Sequence, residues 1–401
     1  MRELLWVGDA ACPSGFAEST HGVLETLHRH FHVTVLGINY RGDPLRDQYP
    51  YDIYAAAVGG DAFGVGRLVW MCDRITRERG RKPDVIVIQN DAWNIPAYLR
   101  QLSRVAEYRE IPVVGVIAVD GKNCRGAEYL NQLSAAIFWS QFALDEARQG
   151  GFTRPGTVIR LGVDHAIFQP EDLLTARAAL GFPDSYNRAF IVLNVNRNQP
   201  RKRWDLTIQY FAKWLSTYAV QDALLMLHVA PTGDTGVDIG DLARYYGITD
   251  FVRTITTDTW YGMSREQLRH VYCAADVQIT TTQGEGFGLT TLEGMACGIP
   301  QIVPRWSALG EWADPGAVQI PCSSTAIGPP YVNVIGGVAD ETPFVEALHR
   351  LHTEPKFYER QRKAALMCAS RLEFDWRVIG QQFLSALNDV MAVPAAEEVS
   401  A

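Results

Sequence analysis

The sequence predicts a doubly wound α/β protein made of two parallel-sheet domains. Three observations carry this. Short apolar runs alternate with amphipathic segments along the chain, and the alternation starts afresh after a break at residues 159–170. The 401 residues, 47% of them apolar, are enough for two ordinary cores.

In the first half, the apolar runs at residues 4–7, 33–38, 85–88, 113–117 and 135–139 read as strands. Between them, residues 17–28 and 94–104 have the apolar spacing of amphipathic helices. The break reads Ile159-Arg160-Leu161-Gly162-Val163-Asp164-His165-Ala166-Ile167-Phe168-Gln169-Pro170. Beyond it, strands are expected at 190–195, 224–229, 252–254, 277–280 and 301–303, and helices from about Leu289 and over 378–391. Residues 323–335, with Gly328-Pro329-Pro330-Tyr331, read as a loop, and 394–401 as a disordered tail.

Net charge is −8, yet residues 1–160 hold 18 Lys+Arg and 18 Asp+Glu, so the acidic excess lies after them. Such a balance argues against bulk polyanion binding. The run at 4–7 is too short for a signal peptide, and no apolar stretch approaches the length of a membrane span. Seven cysteines without a C-x-x-C pair read as buried thiols of a reducing compartment. The expected location is cytoplasmic.

The segment with the most chemistry is Gly284-Glu285-Gly286-Phe287-Gly288-Leu289-Thr290-Thr291-Leu292-Glu293-Gly294-Met295-Ala296-Cys297-Gly298-Ile299-Pro300. Its glycines allow close backbone approach, and a helix beginning near Leu289 turns free N–H groups and a positive dipole end toward the loop. Such an end suits phosphate. Glu285 stands at the mouth of this site, and Glu293 lies about one turn inside the helix. A second candidate loop, Asn196-Arg197-Asn198-Gln199-Pro200-Arg201-Lys202, follows the strand at 190–195, where open α/β sheets bind ligands.

Glu285-x7-Glu293 within E-G-F-G-L-x-x-L-E-G-M-A-C-G-I-P resembles the signature of retaining glycosyltransferases of family 4, which have the GT-B fold: two Rossmann-like domains facing a cleft. The resemblance implies an N-terminal acceptor-side domain over 1–165 and a C-terminal donor domain over 166–376. A helix at 377–393 would return to the first domain, and the tail would be 394–401. It further implies that Glu285 contacts the transferred sugar and Glu293 the ribose. The backbone of Gly286, Phe287, Gly288, Leu289 and Thr290 would hold sugar and diphosphate. Arg197 and Lys202 match the family's G-R-x-x-x-x-K, whose cations bind the diphosphate; Asn196 stands where that pattern has glycine. The expected donor is a UDP- or GDP-sugar, with no resident cofactor and no metal, because cations and a helix end neutralise the leaving diphosphate. Residues 159–170 and Phe374-Asp375-Trp376 also resemble family segments.

In the first half, the resemblance places Gly15 and Phe16, after the first strand, against donor or acceptor. Asp120 follows the strand at 113–117 near a point where many family members carry histidine; Val119 stands there instead. Gln89, Asn90, Asp91 and Trp93 are further acceptor-side candidates. Three other patterns have plainer readings. His28, His30 and His32 lack metal-ligand spacing on one face. Gly64-Val65-Gly66 lacks the third glycine of a dinucleotide fingerprint. Asp234, Asp238 and Asp241 read as a turn and helix cap. Arg74, Arg77, Arg79, Arg81 and Lys82 follow Val69-Trp70-Met71, a pattern compatible with membrane or DNA contact as well as with a solvated helix end.

The sequence thus leads to a retaining, metal-independent hexosyltransferase with a nucleotide sugar as partner and an unidentified acceptor: small molecule, glycan, lipid-linked glycan or protein. Rival readings are a glycosyltransferase acting on modified DNA bases, a nucleotide-sugar hydrolase or epimerase, and a non-catalytic nucleotide-sugar-binding protein.

Overall fold

A computed structural model describes residues 1–45, 47–229, 236–255, 262–328 and 334–392. Asp234, Pro329, Pro330, Tyr331 and the stretch 394–401 lie outside the described residues. The chain divides into two compact units. The first comprises Met1–Val119, Cys124–Leu161 and the segment from Trp376 onward; the second comprises Asp120–Asn123 and Gly162–Asp375.

In the first unit the strands are β1 (Arg2–Asp9), β2 (Phe31–Ile38), β3 (Asp52–Ala55), β4 (Val85–Gln89), β5 (Val113–Ile117), β6 (Ala135–Phe138) and β7 (Gly156–Val158). They form a parallel sheet in the order β3-β2-β1-β4-β5-β6-β7. Helices α1 (Gly15–Leu27), α2 (Leu68–Arg79), α3 (Ile95–Ser103) and α4 (Gln141–Gln149) belong to this unit. The central strands β4 and β5 are buried along their whole length, as parallel strands covered on both faces must be. Their Val- and Ile-rich runs are therefore continuous rather than alternating. Helix α1 starts where Ser14 caps it: the Ser14 Oγ accepts from the Ala17 amide at 3.1 Å and donates to Asp9 Oδ2 at 2.6 Å.

The second unit repeats the plan. Its parallel sheet runs β10-β9-β8-β11-β12-β13, from β8 (Phe190–Val195), β9 (Ala223–His228), β10 (Val252–Ile255), β11 (Val277–Ile279), β12 (Gln301–Pro304) and β13 (Ala317–Ile320). Strands β14 (Ser324–Ile327) and β15 (Ile335–Val338) pair antiparallel. The helices are α5 (Leu173–Ala179), α6 (Trp204–Tyr218), α7 (Ile239–Tyr245), α8 (Arg265–Cys273), α9 (Leu289–Ala296), α10 (Ser307–Trp312), α11 (Glu341–Thr353) and α12 (Pro355–Ala369). The last helix, α13 (Trp376–Ala392), packs in the first unit against α1. Among the described residues no helix is long and apolar enough to cross a membrane.

Each sheet has one point where strand order reverses, between β1 and β4 and between β8 and β11. Loops leaving the carboxyl ends of those paired strands diverge, which opens a crevice for ligands. The loops after β8 and β11 are the two that carry Lys202 and Glu285.

The structure departs from the sequence reading mainly at sheet margins. Strands β3 and β7 were not anticipated; both are edge strands, short and partly exposed, and so lack an apolar run. Strand β13 likewise escaped notice as a four-residue edge strand. Residues 323–335 do not read correctly as one loop. Ser324–Ile327 is a strand, held by pairing with β15 although its own residues are mostly exposed.

The joint between α1 and α13 generates a prediction. A Cβ on Gly22 would lie 2.5 Å from ring carbons of Trp376. Alanine would gain about 1 kcal/mol of helix propensity. Overpacking a filled interface costs about 1–3 kcal/mol. Gly22→Ala is expected to destabilise the protein on balance, seen as a lower urea midpoint with an unchanged slope.

Candidate active site

The site is built from the two loops at the β8/β11 reversal. After β8 the chain enters a 3₁₀ turn at Pro200–Lys202, and Arg203 takes a left-handed conformation (φ 52°) before α6 begins. This turn aims Lys202 inward, where it is buried. A buried polar chain ties it to the facing loop: Asn194 Nδ2 donates to Thr207 Oγ1 (2.9 Å), Thr207 and Thr281 hydroxyls lie 2.6 Å apart, and Thr281 Oγ1 donates to the Arg203 carbonyl (2.7 Å). Asn196 adds a bond to Asn194 Oδ1 at 2.7 Å. The side chain found where the family pattern has glycine is thus a structural brace.

The glutamate loop is fixed equally tightly. A Cβ on Gly284 would collide with the Asp120 carbonyl, and one on Gly288, whose φ is 97°, would sit 2.6 Å from Leu309 Cδ2. Both glycines are demanded by protein neighbours and not only by a ligand. The Glu285 amide donates to Ser307 Oγ at 2.9 Å, and Ser307 is itself held at φ 48°. Phe287 stacks on Trp312 (5.1 Å, 15°), and the Trp312 indole donates to the Phe287 carbonyl at 2.8 Å. Helix α9 is almost wholly buried, and a Cβ on Gly294 would strike the Gln278 side chain, which explains its small residues.

Between the loops lies a compact charge cluster. Lys202 Nζ meets Glu285 Oε1 at 2.5 Å. Arg201 Nη1 meets Glu285 Oε2 at 3.2 Å and donates to the Gly284 carbonyl at 2.8 Å, while its Nε meets Asp120 Oδ2 at 3.2 Å. Burial by itself would raise the Glu285 carboxyl, but Lys202 and Arg201 outweigh it and hold the group down at about 2. Burial first, and then Arg201, lower the Lys202 ammonium to about 8, against the opposing pull of Glu285 and Asp120. At neutral pH both members of the close pair are therefore ionised.

Beside this cluster, no acceptor among the described residues takes a hydrogen bond from the amides of Gly286, Phe287, Gly288, Leu289 or Thr290. Buried backbone donors are rarely left so. Unbonded amides leading into a helix start are of the kind that suits an anion.

The structure brings Lys202, Glu285 and Asp120 together and adds Arg201, which the sequence reading passed over although it stands directly before Lys202. Arg197 is exposed at the end of β8, with its carbonyl accepting from the Trp204 indole at 2.9 Å. Glu293 is buried on α9 and accepts from the Tyr272 hydroxyl at 2.6 Å. Neither Tyr272 nor Ser307 carried a sequence signal, because each reaches the site from a separate element. Gly15 and Phe16 lie in the first unit at the start of α1, where the Phe16 ring packs 5.0 Å from Trp139.

Several lower-ranked candidates make structural hydrogen bonds. Gln89 is buried and bonded to Thr20, Ser19 and Phe16, and Asn90 to Tyr98 and Asn94. Asp238 caps α7 through the Asp241 amide. Among the described residues no group of three metal-ligating side chains occurs. In the basic run, Arg74 pairs with Glu78, Arg79 with Asp52 and Arg81 with Asp84, so much of its charge is locally balanced.

With this geometry established, comparison with known proteins finds a family likeness within the second unit. Residues 182–317 match the glycosyl transferases group 1 family. The matched stretch contains Lys202, Glu285 and Glu293. The chain is also 30% identical over 235 residues to a D-inositol 3-phosphate glycosyltransferase of Thermobifida fusca, covering 57% of this chain and 49% of that protein. It spans about half the length of the curated relatives it matches. The two parallel-sheet domains match GT-B glycosyltransferase structures. Sucrose-phosphate synthase of Thermosynechococcus elongatus superposes with a TM-score of 0.75 at 17% identity, over 98% of this chain and 100% of that one. The Anabaena protein HepE, in complex with UDP and glucose, does so with a TM-score of 0.70 at 15% identity, over 97% and 100%. At such identities the likeness concerns the fold.

The charge cluster predicts a pH signature. A carboxyl lowered by folding stabilises the native state above its unfolded value, and that contribution is lost as pH falls toward the folded value. For Glu285 the window is about pH 4.5 down to 2. The loss should be of the order of 3 kcal/mol. Glu285→Gln is expected to remove this share of the acid destabilisation, read from urea midpoints of variant and wild type across that range.

Proposed function

We propose that the protein is a retaining glycosyltransferase that moves a sugar from a nucleoside diphosphate donor to an acceptor hydroxyl without a metal ion. The observation that carries this reading is the ionised Lys202–Glu285–Arg201 cluster set beside the unsatisfied amides 286–290. The group 1 match over residues 182–317 supports it. UDP or UDP-glucose is bound in structures of the similarly folded HepE, which favours a uridine nucleotide as donor.

In this reading residues 166–376 bind the donor and 1–165, with the 377–393 helix, serve the acceptor. Arg197, Lys202 and the amides from Gly286 to Thr290 take the diphosphate, Glu293 the ribose, and Glu285 the sugar hydroxyls. Gly15, Phe16 and Asp120 are assigned to the acceptor side. The bond from the anomeric carbon to the phosphate oxygen breaks with its electron pair leaving on the diphosphate. The cations and amides stabilise that growing charge more in the transition state than in the ground state, which is what accelerates the step. The acceptor oxygen then bonds to the anomeric carbon on the face just vacated, and its proton passes to the departing phosphate oxygen. Hydrolysis by paired carboxylates is disfavoured because Glu293 is engaged with Tyr272 inside α9. That the seven cysteines are not joined in disulfides accords with a reducing, cytoplasmic setting.

A thermal-shift series with UDP, GDP and ADP and their hexose conjugates tests the reading, since a ligand bound only by the native state raises Tm. A uridine nucleotide should stabilise most; no stabilisation by any nucleotide would remove the proposal. Glu285→Ala should lower transfer by about 100-fold or more. Lys202→Met and Arg197→Met should chiefly weaken donor binding. Rapid sugar release from donor without acceptor would instead mark a hydrolase. Because Lys202 ionises near 8, diphosphate affinity should hold at neutral pH and fall above pH 8, approaching about tenfold per unit.

A further inference from the structure

We infer that Arg201 is a positioning residue that holds the Glu285 carboxylate toward the sugar once Lys202 turns to the diphosphate. The inference rests on the glycosyl-transfer reading above. Lys202 cannot serve both partners fully: its single Nζ lies 2.5 Å from Glu285 Oε1, and a diphosphate docked on the neighbouring amides competes for the same ammonium. If Lys202 were the only cation on Glu285, donor binding would strip the carboxylate of its partner and leave a buried charge uncompensated.

Arg201 prevents that. Its Nη1 is shared between the Gly284 carbonyl (2.8 Å) and Glu285 Oε2 (3.2 Å), and its Nε meets Asp120 Oδ2 (3.2 Å). Its own carbonyl accepts from the Gln283 amide at 2.8 Å, so backbone and side chain grip the same loop. The planar guanidinium offers several donors in a fixed fork, whereas an ammonium is a point charge on a mobile stem. Arg201 can thus bind two carboxylates and a carbonyl at once and keep them registered. Asp120, brought against Arg201 from the short segment that clusters with the second unit, fixes the other side of the fork. Two cations face two carboxylates, so losing Lys202 to the donor leaves Arg201 between Glu285 and Asp120 rather than isolating Glu285.

Calorimetric titration separates this role from diphosphate binding and requires no acceptor. Wild type, Arg201→Gln, Arg201→Lys and Lys202→Met are titrated with UDP and UDP-glucose, and with the guanosine and adenosine pairs. For Arg201→Gln, diphosphate affinity should stay within about threefold while affinity for the sugar nucleotide falls roughly tenfold or more. Arg201→Lys should recover part of that sugar-dependent loss. Lys202→Met should weaken diphosphate and sugar nucleotide alike. Adding Asp120→Asn to Arg201→Gln should cost less than the two single changes together. An unchanged ratio between sugar nucleotide and diphosphate in both Arg201 variants overturns the inference, as does a loss of diphosphate affinity equal to that of Lys202→Met. If wild type binds none of the nucleotides, the functional reading itself fails. If wild type binds and only the Arg201 ratio is unmoved, that reading stands without this addition.

Discussion

The contact on which the rest of the second unit depends is the ion pair between Lys202 and Glu285, reinforced by Arg201. Taking a lone carboxylate or ammonium out of water costs several kcal/mol. Here each charge is buried only because its partner arrives from the opposite loop. The surrounding architecture secures that meeting. The Asn194–Thr207–Thr281 chain locks the two loops together, Ser307 holds the Glu285 amide, and Gly284 lets the Asp120 carbonyl come close enough to present its carboxylate to Arg201. The cluster is nearly neutral as it stands, which makes it tolerable when no ligand is present. In the proposed reaction, an arriving diphosphate would bring the charge that redistributes it.

The sheets explain why this chemistry sits where it does. A parallel strand order that reverses once forces the connections from β8 and β11 to opposite faces, and the loops at their carboxyl ends part. The amides of Leu289 and Thr290 lack intrahelical acceptors because α9 starts there, and those of Gly286, Phe287 and Gly288 lead into it. Helix α9 is short and almost wholly buried, and Gly294 lets it approach Gln278 on β11. Position, charge and backbone polarity all follow from one topological feature.

The glycine-rich segment shows how a motif can carry more than one constraint. In the sequence its glycines signalled ligand approach. In the fold, Gly284 and Gly288 are also where the backbone makes room for Asp120 and Leu309. The basic run along α2 and just beyond it was ambiguous for the opposite reason: Arg79 finds its partner, Asp52, on a distant edge strand that no apolar pattern revealed. Edge strands such as β3 and β7 were hidden because only one side of each is paired, which leaves little need for an apolar run.

What the sequence determined alone was local and periodic. Buried central strands such as β4, β5 and β8 must be largely apolar, most helices of an α/β fold show one apolar stripe, and the two site loops carry their glycines and cations close together in sequence. These demands are written in consecutive residues, so the fold class and the Glu285 and Lys202 loops were legible. What only the tertiary structure decided was partnership. That Arg201 faces both Glu285 and Asp120, that Tyr272 holds Glu293 and that Ser307 holds the Glu285 amide depends on residues up to 84 positions apart meeting in space. Side chains brought together by strand order leave no trace in spacing, because nothing local requires them.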